Sequence, residues 1–196
     1  ELIPGLDVRF QGQQVVTDAD GWRIGGAGAA APANAAGKPV VRIVGLGDSV
    51  MFGWGVAEAD GFLRQLETLL RERHPDVDWR TTNTAVPGYN TVMEVATLQA
   101  KALTPPPQLV LIDLVDNDLD LPNFIAHEAD YWTLSTSFLV EWIESVRRGF
   151  DTQAFRPFEL APRRGEGLYL GDPERVAARY RELVGERAFA AALAEL

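Results

Sequence analysis

The sequence contains no cysteine. That excludes disulfide bonds, thiolate metal sites and a cysteine nucleophile. It has two histidines, His74 and His127, too few for a multi-histidine metal centre. No apolar run approaches the ~18 residues of a membrane-spanning helix. Positive charge is also scarce: 18 Lys and Arg stand against 28 Asp and Glu, a formal charge of −10. A nucleic-acid binder presents a basic face, so no nucleic-acid partner is expected. Docking on anionic lipid is disfavoured for the same reason. No Gly-Lys-Ser/Thr occurs, which excludes a P-loop. The chain opens at Glu1 rather than methionine and is read as a trimmed or processed stretch.

What is present suits one domain with a sizeable core: 196 residues, 46% of them hydrophobic. Residues 1–24 read as a small extended module. Residues 6–10 (LDVRF) alternate, residues 14–17 (QVVT) suggest a second short strand, and Asp18-Ala19-Asp20-Gly21 supplies a turn. Residues 25–39 (GGAGAAAPANAAGKP) are Gly, Ala or Pro except Asn34 and Lys38, and read as a linker.

Residues 40–196 read as the main domain. Residues 40–44 (VVRIV) form a buried strand bounded by Pro39 and Gly45. Residues 61–74 place Phe62, Leu63, Leu66, Leu69 and Leu70 on one helical face, and Pro75 ends that helix. Residues 77–85 are a weaker strand and residues 91–103 a second helix, stopped by Pro105-Pro106-Pro107. Residues 109–114 (LVLIDL) are a strongly apolar strand. The β-α-β-α-β order predicts an α/β fold, a parallel sheet with helices on both faces. Residues 131–150 read as a further helix carrying Leu134, Phe138, Trp142 and Val146. Residues 151–171 are irregular, and Asp172-Pro173 starts a helix expected to run through residue 196. Three parallel strands are few against the typical five or six. The last helix has no C-cap glycine, so the C-terminal part of the domain is expected to be missing.

The chemistry-bearing residues follow the three strands. Gly45-Leu46-Gly47-Asp48-Ser49-Val50 comes directly after the first. Functional groups gather at the carboxyl ends of strands in open parallel sheets. Ser49 at a strand-to-helix junction suits a nucleophilic hydroxyl, with its own N–H as part of an oxyanion hole. The structural alternative is an ordinary turn capped by Asp48 or Ser49. A dinucleotide fingerprint is disfavoured, because Val50 stands where its third glycine belongs. After the second strand, Gly88 in NTAVPGYNT offers an N–H with no side chain in the way. After the third, Asn117 offers an amide donor. Taken alone, Gly88 is a turn and Asn117 a loop cap; their joint occurrence after successive strands favours an oxyanion hole of Ser49, Gly88 and Asn117. Asp116, Asp118 and Asp120 do not match a calcium loop, since the glycine and closing glutamate are out of register, and read as a solvated loop. Trp54 is a candidate pocket residue, with Asp48 and Asn90 as further substrate-binding candidates; no metal or cofactor is expected.

These motifs resemble the SGNH (GDSL-type) hydrolase superfamily. Gly47-Asp48-Ser49 matches its first block, Gly88 its second, and Val115-Asp116-Asn117-Asp118 its Gly-x-Asn-Asp block with valine for glycine. VPGYNT is similar to a bacterial subgroup encoded with envelope-polysaccharide genes. The resemblance covers about residues 40–120. It implies a three-layer α/β/α sandwich of flavodoxin-like type and a serine esterase acting on acyl, including acetyl, esters. Ser49 would be the nucleophile, and Gly88 and Asn117 would complete the oxyanion hole. The implied partner is a small-molecule or carbohydrate ester. A polysaccharide O-acyltransferase and a non-catalytic carbohydrate- or acyl-binding relative are the alternatives. The family's Asp-x-x-His block is absent: Arg71 precedes His74 by three, and Phe124 precedes His127 by three. Three explanations compete: a missing C-terminal portion, a binding relative, or a base role for His127. The acidic balance and the subgroup's envelope association point towards a periplasmic or secreted site.

Overall fold

The computed structural model describes residues 2–25, 37–121, 172–176 and 178–196. The expected helix at 131–150, His127 and most of the linker lie outside them. The described strands are β1 (Asp7–Phe10), β2 (Gln13–Thr17), β3 (Arg23–Ile24), β4 (Val40–Leu46), β5 (Asp78–Asn83) and β6 (Leu109–Ile112). They form one sheet in the order β1-β2-β3-β5-β4-β6. β4 is the middle one of the three parallel strands, with Ile43 opposite Thr81 on one side and Leu109 on the other. The N-terminal segment, expected as a module of its own, is the antiparallel edge of this same sheet, joined where Arg23 pairs with Asn83.

The helices are α1 (Ser49–Phe52), α2 (Phe62–Arg73), α3 (Thr91–Thr97) and α4 (Glu186–Leu193). Strand alternation assigns them to faces. Leu111 packs in a cluster with Leu63 of α2 and with Met51, Phe52 and Val15. Its neighbours Val110 and Ile112 pack on the other side with Val44, Leu46 and Leu98. A Cβ at Gly45 would lie 2.4 Å from Leu63 Cδ1, so glycine lets α2 approach β4. Helices therefore cover both faces, and the architecture is the expected α/β/α sandwich. The connections explain this: β4 to β5 steps one way, and β5 to β6 crosses back over β4. Right-handed crossovers in opposite directions place their helices on opposite faces.

Two helix expectations need correction. The face of α2 buries Leu63 and Glu67, while Phe62 and Leu69 are exposed. Buried Glu67 accepts hydrogen bonds from Thr81 N and Oγ1 at 2.8 and 2.6 Å and pairs with Arg64 and Arg71 at 3.0 and 2.8 Å. A charged residue at core spacing is thus a tie between α2 and β5. The expected helix from Asp172 onward is broken into 3₁₀ turns, Pro173–Arg175 and Ala178–Leu183, before Gly185 begins α4. Asp172 does cap the first turn, accepting from Glu174 N at 3.0 Å. α3 continues as a π-helical turn, Leu98–Ala102, so the helical span matches the expected one closely.

Candidate active site

β4 ends between the carboxyl ends of β5 and β6, at the point where the chain's connections change direction. Ligands in open α/β sheets bind at such a switch point. Asp48 and Ser49 follow β4 there directly. Asp48 caps α1: it is buried, and its Oδ1 accepts from Val50 N at 2.9 Å. Its Oδ2 accepts from the Ser49 hydroxyl at 3.2 Å. That bond is long for O–H···O, so the hydroxyl is loosely held. Ser49 itself is half-buried and Val50 exposed.

Gly47 is required by close approach rather than by a positive φ. A Cβ there would sit 1.9 Å from Asp113 Oδ1 and 2.4 Å from Met51 Cβ. Gly88 does need its freedom, with φ 85° after Pro87, and Tyr89 N bonds Val86 O at 3.0 Å across the turn. Pro followed by positive-φ Gly is the pattern of a type II turn.

The three strand-end segments are tied to one another. Val86 N bonds Gly47 O at 3.2 Å, and Asp113 N bonds Leu46 O at 3.2 Å. The Thr91 hydroxyl donates to Asp118 Oδ1 at 2.9 Å. Asp118 also accepts from Val115 N, closing the 3₁₀ turn Asp116–Leu119 that carries Asn117. The Asn117 side chain is exposed. Asp118, expected in a solvated loop, is buried at the root of this turn.

Asn90 is not available to a substrate. It is 0% exposed, caps α3 by accepting from Met93 N at 3.1 Å, and donates to Asp120 O and Leu183 O, both at 2.8 Å. Asp48, expected to bind substrate, is likewise buried, and its carboxylate is turned onto Val50 N and the Ser49 hydroxyl. Trp54 is 41% exposed and meets Phe10 edge-on at 4.6 Å between ring centroids.

Sequence reasoning missed a group of acids beneath the site. Glu94, 2% exposed, is pushed up to about 9 by burial first and then by Asp118, Asp113 and Asp48. Neither of its carboxyl oxygens has a hydrogen-bond partner among the described residues. Asp113 is raised to about 6 by burial and by Asp48, against the pull of nearby backbone amides of Met51 and Asp48 that do not close hydrogen bonds of normal geometry. Asp118 is also raised by burial, which the Val115 N–H and Thr91 hydroxyl oppose. At neutral pH Glu94 therefore keeps its proton, and the negative charge beneath Ser49 is smaller than four carboxylates imply. Glu94 carried no warning in the sequence, because a glutamate in a first helical turn is ordinarily solvent-facing.

No protein-family model matches the chain, and no curated protein does. Among solved structures, it is similar to TesA at 27% identity, covering 39% of this chain and 42% of that one, with a TM-score of 0.36. It is likewise similar to AlinE4, described as an SGNH-hydrolase family esterase, at 28% identity over 42% of each chain with a TM-score of 0.35. The chain thus spans about two fifths of the length of these structures. No helix among the described residues is long and apolar enough to cross a membrane.

Proposed function

We propose that Ser49 is the nucleophile of a serine esterase acting on small acyl esters, and that Gly88 N–H, Asn117 Nδ2 and the Ser49 N–H hold the oxyanion. One observation carries this reading: a loosely bonded serine stands at the switch point of a parallel sheet, with the 86–91 segment tied to its turn through Val86 and Gly47 and the 115–120 segment tied to 86–91 through Thr91 and Asp118. In the proposed reaction Ser49 Oγ bonds to the ester carbonyl carbon and its proton passes to a general base. The alcohol leaves with a proton, and water then releases the acid and restores the hydroxyl. Each oxyanion donor is worth about 2.7–4 kcal/mol in the transition state.

The test is hydrolysis of a chromogenic acetyl ester by the full gene product. Ser49→Ala is expected to abolish turnover; an unchanged rate would refute the assignment. The missing Asp-x-x-His keeps one second reading in play, a carbohydrate- or acyl-binding relative. Saturable ester binding without turnover, insensitive to Ser49→Ala, would favour it. Product analysis with a polysaccharide acceptor separates hydrolysis from acyl transfer.

A further inference from the structure

Arg23 belongs to the antiparallel edge of the sheet, far in sequence from Ser49, yet its side chain ends at the nucleophile turn. It is 4% exposed. Nη1 donates to Phe52 O and, at 2.9 Å, to Gly53 O; Nη2 donates to Val56 O at 2.6 Å. The guanidinium also lies over the Phe52 ring, 4.6 Å from its centroid. The same short segment is fastened to the nucleophile from the other direction. Trp54 N bonds Ser49 O and Gly53 N bonds Val50 O, each at 3.0 Å. Asn83 Nδ2 takes the remaining carbonyl of the turn, Met51 O, at 2.9 Å.

We infer that Arg23 is a positioning residue for the nucleophile: by holding the carbonyls of Phe52, Gly53 and Val56 it fixes the one-turn helix whose first residue is Ser49. This inference rests on the esterase reading for its kinetic consequence, but not for its structural one. A buried guanidinium is costly, and an apolar side chain would fill the space more cheaply. The cost is intelligible if the site needs a rigid fork that several carbonyls can share. α1 has only four residues and cannot hold its own geometry. Lysine, a point charge on a flexible stem, cannot reproduce the fork.

The experiment uses the full gene product with Arg23→Ala and Arg23→Lys. On a chromogenic acetyl ester, kcat is expected to fall about 10²-fold in Arg23→Ala with KM little changed, the loss typical of a misplaced reacting group. Low-millimolar guanidinium should restore much of it, and ammonium at the same concentration should not. A folded Arg23→Ala with unchanged kcat, or a loss that guanidinium does not relieve, overturns the inference. If Arg23→Ala does not fold, Arg23→Lys decides: reduced kcat supports the inference, and full kcat overturns it. Should wild type show no Ser49-dependent turnover, the esterase reading fails, and amide hydrogen exchange in Arg23→Lys tests the positioning alone. Faster exchange confined to residues 50–56 supports it; unchanged or uniformly faster exchange contradicts it.

Discussion

At the scale of residues, the site is built by side chains that approach too closely for substitution. Gly47→Ala would drive a methyl into Asp113 Oδ1 and Met51 Cβ. Met51 is held in the core and cannot yield cheaply. Such overpacking costs about 1–3 kcal/mol, and urea denaturation of the variant should show a loss in that range. Glu94 gives a second prediction. Its folded pKa, about 9, lies above its ordinary 4.5. A carboxyl raised in this way contributes most below its unfolded pKa and loses that contribution as pH rises towards its folded one. Asp113, at about 6, acts in the same direction over a lower window. Stability should therefore fall between about pH 5 and 9, by no more than ~1.4 kcal/mol per pH unit for one group. Glu94→Gln should flatten that fall when compared with wild type. An identical pH profile of Tm in both proteins would contradict the buried-acid account.

At the scale of elements, Asn90 shows how one side chain joins segments distant in sequence. It caps α3, holds Asp120 O beside the Asn117 turn, and reaches Leu183 O near the start of α4. Loss of a helix cap costs about 1 kcal/mol, and each half-buried carbonyl left without its donor adds to it. Asn90→Ala should therefore cost about 2–4 kcal/mol in urea denaturation and make residues 172–196 more open to limited proteolysis; a loss under half a kcal/mol would contradict this role. The parallel strands and their helices were legible in the sequence, because apolar runs and proline stops mark them locally. The N-terminal edge of the sheet was not. Its joining to β5 is a long-range pairing through a two-residue strand, and nothing local in LDVRF or QVVT announces a partner. The roles of Glu67 and Asn90 were hidden for a related reason. Side chains on a periodic pattern are read as exposed polar or accessible, and only tertiary packing shows that their hydrogen bonds end inside the protein.

At the scale of the whole molecule, residues 2–24 and the turn that begins at Ser49 form one structure. The sheet edge at β5 is covered by β3, and Arg23 enters the core around Phe52. Deleting residues 1–24 would expose that edge and remove the guanidinium that the carbonyls of Phe52, Gly53 and Val56 share. The truncated chain is expected to lose cooperative unfolding as followed by circular dichroism. A truncated protein that keeps the parent's Tm would show that the edge is dispensable. The positions of Gly47 and Gly88 at strand ends were legible in the sequence because a close approach at one and a positive φ at the other restrict the residue to glycine. Asp113, Glu94 and Arg23 were not, since their significance is their position relative to one another. The claim that unites these scales is that Ser49 is the reactive hydroxyl. Intact-protein mass spectrometry of the full gene product after treatment with a fluorophosphonate tests it most directly. Ser49 Oγ should displace fluoride and gain one phosphonyl group, an adduct that peptide mapping places on Ser49 and that Ser49→Ala does not form. No adduct, or an adduct that persists in Ser49→Ala, would contradict the account.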